Sequence, residues 1–129
     1  MNGCTVTCRA AGPRTVVTLI GDLYLPTVQE AERSIRAGRR EHGEHLVFDL
    51  EPLAFLDSSG LSLLLRFYLA AEGRGGSATL AGPVSERVAR VLRVTNLDQR
   101  LLIHPSLDAA LDGAPPAGRR EEVRPVAPR

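Results

Sequence analysis

The sequence predicts a single α/β domain in which helices pack on a mixed β-sheet. Three observations support this class. Two short runs rich in Val, Thr and Ile stand at the start of the chain, later strand-length apolar runs alternate with helical patterns, and no internal repeat is visible. With 129 residues and 43% hydrophobic content, the chain is long enough for one packed core. We therefore expect one domain over residues 1–112, with an opening hairpin and about four helices.

The first half of the chain predicts two strands, a helix and a third strand. Residues 4–10 and 14–21 are separated by "AGP", which is typical of a hairpin turn. Thr27 and Glu30 have the spacing of a capping box, and apolar residues then recur at helical intervals, so a helix is expected over about 28–41. The run "HLVFDL" is continuously apolar, which predicts a strand covered on both faces in the middle of the sheet.

The second half continues the alternation of helices and strands. A helix begins near Ser58 and is apolar almost all round through Ala71, so it should be largely buried. "SATLAG" predicts a strand, "SERVARVLRVTN" an amphipathic helix with arginines toward solvent, and "RLLIHP" a last short strand. Ser106 can cap a final helix, and residues 113–129 have the composition of a disordered tail. Helical crossovers make the later strands parallel.

Charge and hydropathy limit the classes of partner. The formal net charge is +1 with acidic and basic residues interleaved, so no basic patch predicts a nucleic-acid partner. No apolar run approaches the roughly 20 residues that cross a bilayer, and the chain opens with no charged-then-apolar leader. We expect a cytoplasmic protein without membrane insertion, as a monomer or weak dimer.

The cysteines and histidines predict no bridge and no metal. Cys4 and Cys8 lie four residues apart in a predicted strand, which holds their Cα atoms roughly 13 Å apart, too far for a disulfide. The three histidines show no ligand spacing with them, and no nucleotide-binding glycine loop occurs. We therefore expect neither a metal nor another cofactor.

The candidate functional site is the turn Asp57-Ser58-Ser59-Gly60, which follows a strand ending near Leu50 and opens the second helix. Loops at the carboxyl ends of parallel strands commonly carry function. A helix amino end has unpaired N–H groups and a partial positive charge, so a phosphoryl group on Ser58 or Ser59 can be accommodated there. Gly60 is expected to keep the turn open to the active site of another protein.

Two alternatives compete with a phosphorylation site. The turn can be a helix cap only, because Asp and Ser are preferred N-cap residues, although three such residues in a row exceed that need. A catalytic serine is the less favoured alternative, since the turn lacks the Gly-x-Ser-x-Gly elbow and a small hydrolase would need a histidine base. Only His45 and His104 are candidates, and each stands at the end of a predicted strand.

The segment "FLDSSGLSLLLRFYLAAEGRGGSATLAG" resembles the phosphorylation-site segment of the STAS-domain anti-sigma factor antagonists. The resemblance extends from about Val6 to Leu111 and includes "VVTLIGDLYLPTVQEAE" and "VLRVTNLDQRLLIHPSLDAAL". It implies the STAS fold, with a mixed sheet and an N-terminal hairpin. Where the family usually has Gly-Glu-Leu-Asp, this chain has Gly21-Asp22-Leu23-Tyr24, so a phenol replaces a carboxylate expected near the acceptor serine.

The resemblance also implies a non-enzymatic partner-switching protein. Such an antagonist binds an anti-sigma factor, which is a GHKL-type serine kinase, and thereby frees a sigma factor. The kinase phosphorylates the serine after the aspartate, here Ser58, and ends the association, and a serine phosphatase is expected to restore it. The alternative within the family is a docking subunit of a transporter or signalling assembly without phosphate turnover.

The partner surface is expected to contain the start of the second helix, the end of the second strand and the arginine face of the third helix. Its residues are Asp22, Tyr24, Thr27, Asp57, Ser58, Ser59, Gly60, Leu61, Arg87 and Arg90.

Overall fold

The computed structural model describes residues 3–112, and the predicted tail at 113–129 lies outside the described residues. The chain begins with strands β1 (Cys4–Ala11) and β2 (Arg14–Leu23), which form the predicted antiparallel hairpin. A single 3-10 turn, Leu25–Thr27, leads into helix α1 (Val28–His42). The remaining strands and α-helices are β3 (His45–Asp49), β4 (Leu53–Leu56), α2 (Ser58–Gly73), β5 (Ser77–Ala81), α3 (Glu86–Val94), β6 (Ile103–His104) and α4 (Leu107–Leu111), with a second 3-10 turn, Leu97–Gln99, after α3.

The strands form one mixed sheet in the order β1-β2-β3-β5-β6. The hairpin is antiparallel, whereas β2, β3, β5 and β6 run parallel to one another. Strand β3 lies in the middle: Leu46 and Phe48 enter the large core under the helices, and Val47 enters a smaller cluster on the opposite face. The prediction of a central strand covered on both faces is therefore confirmed.

The structure corrects the sequence analysis at the strand before the candidate turn. That strand was expected to end near Leu50 and lead directly into the turn, but β3 ends at Asp49 and a separate strand, β4, follows. Strand β2 is ten residues long, so its first half pairs with β3 and its last residues pair with β4, after a shift of register at Gly21 and Asp22. Strand β4 thus brings the candidate turn beside the carboxyl end of β2.

Helices α1, α2 and α3 cover one face of the sheet, and α4 packs on the other. Helix α2 contributes a buried row that includes Leu63, Leu64 and Phe67, while Leu69 is 56% exposed on its outer side. The small cluster on the opposite face consists of Val16, Val47, Ala81 and Ala110. Among the helices of residues 3–112, none is both long and apolar enough to span a membrane.

Both cysteines are free thiols on β1, and both pack against the large core. Cys8 Sγ donates a hydrogen bond to the Ser34 carbonyl of α1 at 3.7 Å. Burial raises the pKa of both thiols, because an apolar environment disfavours the thiolate. The cysteines therefore serve as small core side chains rather than as a disulfide.

Candidate functional site

Asp57 directly follows strand β4 and is the N-cap residue of helix α2. Its Oδ1 accepts a hydrogen bond from the Gly60 N–H at 2.9 Å, as an N-cap side chain does. Its Oδ2 accepts a second hydrogen bond, from the Leu25 N–H at 3.1 Å. The carboxylate therefore ties the start of α2 to the 3-10 turn after β2. The capping alternative holds for Asp57 but leaves the two serines unexplained.

Ser58 and Ser59 are the first two residues of α2. Ser58 is exposed and Ser59 is partly exposed, and neither hydroxyl forms a hydrogen bond with any residue from Gly3 to Asp112. The first N–H groups of a helix have no intrahelical partner and stabilise negative charge. The Ser58 oxygen is therefore accessible from solvent, next to a helix end that favours a phosphate.

Gly60 was expected to keep the turn open to another protein, and that expectation is wrong. Gly60 is buried, and an added Cβ would lie 2.4 Å from the Leu23 carbonyl oxygen and 2.9 Å from Leu56 Cδ1. Leu61 is only 8% exposed and belongs to the large core. Gly60 and Leu61 thus position Ser58 from the core side. The start of α2 can approach the ends of β2 and β4 because Gly60 has no side chain.

Asp22, at the end of β2, and Thr27, in the following 3-10 turn, are joined by a hydrogen bond. Asp22 is 6% exposed, and its carbonyl accepts a hydrogen bond from the Thr27 hydroxyl at 2.8 Å. The same hydroxyl accepts from the Tyr24 N–H at 3.1 Å. The predicted capping box of Thr27 and Glu30 is wrong, since the Thr27 side chain closes the preceding 3-10 turn and does not cap α1. Thr27 and Asp22 therefore shape the turn from within.

Phe55 connects this turn to helix α3, a role that sequence reasoning missed. Its ring lies edge-on to Tyr24 with centroids 6.0 Å apart, and the Arg87 guanidinium stands 4.8 Å above the Phe55 centroid. The available signal was an aromatic residue in "LAFL", directly before the serines. The stack places Arg87 beside the site, in a cation–π geometry. Arg90 is exposed, three residues further along α3. Within residues 3–112, it forms no hydrogen bond or ion pair with the Asp57-Ser58-Ser59-Gly60 turn.

The histidines do not supply a base to the serines. His45 Nδ1 lies 2.9 Å from the Ser77 hydroxyl, at the start of β3 and β5, whereas Ser58 follows the carboxyl end of β4. Among residues 3–112, no histidine forms a hydrogen bond with Ser58 or Ser59. A catalytic serine needs such a base, so the geometry of the turn does not favour hydrolysis.

The sequence profile of the STAS domain matches residues 6–110. The chain belongs to the STAS domain family. The fold and the family that the sequence predicted are therefore confirmed.

Solved structures of several kinds share the fold of this STAS domain. An anti-sigma factor antagonist from Mycobacterium paratuberculosis superposes with a TM-score of 0.75 and 27% identity, over 84% of this chain and 91% of that one. The Bacillus cell fate determinant SpoIIAA in its phosphorylated form gives a TM-score of 0.64 and 21% identity, over 84% and 97% of the two chains. The murine anion transporter Slc26a9 gives a TM-score of 0.66 and 18% identity, over 80% of this chain and 18% of the transporter.

Substituting Asp57 tests its double role in this STAS domain. We expect Asp57→Ala to lower the free energy of unfolding by about 1–2 kcal/mol, because the cap of α2 and the link to Leu25 are lost together. Asp57→Asn keeps a cap acceptor and should cost less than the alanine variant. Urea unfolding followed by circular dichroism measures both, with the single-cap variant Ser85→Ala of α3 as the control, since within residues 3–112 the Ser85 hydroxyl accepts only from the Val88 N–H. Unchanged stability of Asp57→Ala would contradict the anchoring role.

Proposed function

We propose that this STAS domain, residues 1–112, is an anti-sigma factor antagonist that binds an anti-sigma factor with serine kinase activity and loses that binding when Ser58 is phosphorylated. The observation that carries the proposal is the exposed Ser58 hydroxyl at the start of α2, beside an Asp57 carboxylate whose two oxygens are already used. The resemblance of "FLDSSGLSLLL" to the family's phosphorylation segment supports it, and so does the similarity to a mycobacterial anti-sigma factor antagonist.

The physical effect of a phosphate on Ser58 follows from its surroundings. Phosphorylation adds nearly two negative charges, which the amino end of α2 stabilises and the Asp57 carboxylate repels. Because Ser58 is exposed and its hydroxyl forms no hydrogen bond with another residue of the described range 3–112, the domain should stay folded. A partner that had to desolvate this dianion without pairing it would lose several kcal/mol of binding free energy, by order of magnitude. The phosphate therefore switches association rather than folding.

The proposed partner surface consists of side chains that solvent reaches around Ser58. Leu25 is 68% exposed and is held in place by the hydrogen bond from its N–H to Asp57. Tyr24 and Arg87 both contact the ring of Phe55, which lies two residues before Asp57. Tyrosine and arginine are enriched in interface hot spots, and the exposed leucine adds apolar area to such a surface. Leu25 is thus an addition to the partner residues that the sequence predicted.

Incubating the purified full chain with candidate GHKL-type kinases and ATP tests the proposal. We expect the intact mass to rise by one phosphate in the wild type and in Ser59→Ala, but not in Ser58→Ala. A pull-down with each kinase should capture the unmodified chain and not the phosphorylated one, and a serine phosphatase should restore capture. We place these partners in the bacterial cytoplasm, where sigma factors act.

Two results would overturn this function. A phosphate retained in Ser58→Ala would move the acceptor to another residue. Absence of phosphate with every candidate kinase, together with stable capture of a transporter component, would make the chain a docking subunit; its fold is shared with part of the anion transporter Slc26a9.

A further inference from the structure

A second charged surface lies between α1 and α2, toward the end of α2 that is remote from Ser58. It is a groove of about 150 Å³, which we call the arginine groove, lined by Arg36, Arg39, Arg66, Phe67, Ala70 and Arg74. At about 1.5 Å per helical residue, Arg66 and Arg74 lie roughly 12 and 24 Å along α2 from Ser58. The groove is therefore separate from the proposed phosphorylation site.

Two carboxylates hold the four arginines in place. Glu32 contacts both Arg36 and Arg66, the latter at 3.6 Å. Glu44 Oε2 lies 3.5 Å from Arg39 Nε and 3.3 Å from Arg74 Nη1. Four guanidinium groups against two carboxylates leave the groove with an excess of two positive charges. Each guanidinium has five N–H donors, so the carboxylates engage only part of them.

Arg39 is the most restrained of these arginines. Its side chain is only 12% exposed, and its guanidinium stands 5.4 Å from the centroid of the Phe67 ring. Burial and the charge of Arg74 lower the pKa of Arg39, whereas Glu44 raises it. An anion bound in the groove would offset the repulsion between Arg39 and Arg74. Because the Arg39 guanidinium is already ordered, its hydrogen bonds to the anion would cost little side-chain entropy.

We propose that the arginine groove binds a small soluble polyphosphate anion, such as inorganic pyrophosphate. Planar guanidinium forks match the oxygens of phosphate in pairs, and the groove has the volume of a small anion. An acidic protein segment fits less well, because the only aromatic ring in the groove is that of Phe67, which is 4% exposed and lies under Arg39. Protein interfaces usually need such an apolar anchor at their centre.

Calorimetric titration of the full chain with pyrophosphate tests the site. We expect binding in about 50 mM salt that weakens as the salt concentration rises. The double variant Arg66→Gln and Arg74→Gln should bind at least about tenfold more weakly, because two charged donors are lost. These side chains are 58% and 51% exposed, so the variant should fold.

The matched control removes the same charge elsewhere. Arg33→Gln with Arg93→Gln substitutes two exposed, ion-paired arginines outside the groove, and pyrophosphate affinity should stay within about twofold of wild type. In the NMR spectrum, the amide signals of Phe67 and Ala70 should shift with pyrophosphate, and those of Ser58 and Gly60 should not.

Three results would overturn the proposal. The first is absence of binding to the wild type at about 1 mM pyrophosphate in low salt, which would put the dissociation constant above about 1 mM, too weak for a specific site. The second is an equal loss of pyrophosphate affinity in the control variant, which would show that the anion is attracted by net charge and not by the groove. The third is capture of an oligoglutamate peptide in place of pyrophosphate, which would make the groove a docking surface for an acidic protein. Because Ser58 is unchanged in every variant, these results leave the proposed function untouched.

Discussion

Replacing Gly60 with alanine should lower the free energy of unfolding by about 2–4 kcal/mol, the range of severe overpacking. The new Cβ would meet the Leu23 carbonyl oxygen at 2.4 Å, and this atom is backbone of a buried strand that cannot move aside. It would also meet Leu23 Cγ and Leu56 Cδ1, each at 2.9 Å. The start of α2 must therefore lift from the sheet, and the Asp57 cap and Ser58 must move with it.

Gly73→Ala is the matched control, because Gly73 is the last residue of the same helix and an added Cβ there meets no atom within 4 Å. Alanine is favoured over glycine in a helix by up to about 1 kcal/mol, so this variant should be as stable as the wild type or more stable. Urea unfolding followed by circular dichroism compares the two. Equal stability of Gly60→Ala and Gly73→Ala would contradict the tight packing of the turn against Leu23.

Ser58→Glu should weaken binding of the cognate anti-sigma factor by about hundredfold or more, and should change the free energy of unfolding by less than about 0.5 kcal/mol. The two effects separate because Ser58 is exposed in the isolated domain but would be covered in the complex. A carboxylate at this first helical position is tolerated by the helix dipole, whereas a partner would have to desolvate it beside Asp57. Fluorescence anisotropy with the labelled partner measures the affinity.

Gln99→Glu is the control for added charge. Gln99 is exposed on the 3-10 turn Leu97–Gln99 after α3, and the substitution keeps the side-chain size. Its partner affinity should remain within about twofold of wild type, since an exposed charge outside an interface contributes little. If both variants lost binding equally, net charge and not the position of Ser58 would control the association.

Local sequence signals were sufficient for most elements of the fold. The hairpin, all four helices, the central strand and the caps Asp57 and Ser106 follow from periodicity and from short-range preferences. Strand β4 was the failure. Its four residues show no hydrophobic periodicity of their own. They form a strand only because the end of β2 extends beyond β3 and pairs with them. Pairing between segments distant in the chain leaves little trace in either of them.

The candidate site also has features that local sequence signals predict and features that depend on long-range packing. The sequence by itself determined the STAS family, the position of the turn, the capping residue Asp57 and the two serines that follow it, because these depend on neighbours within a few residues. Only the tertiary structure decided which of them solvent can reach: it buried Gly60 and Leu61, left Ser58 exposed, joined Asp57 to Leu25 and placed Arg87 over Phe55. It also brought together Arg36 and Arg39 of α1, Arg66 of α2 and Arg74, which directly follows α2. The physical reason is that exposure and contact depend on how distant elements pack on the sheet, and a short motif carries no information about that packing.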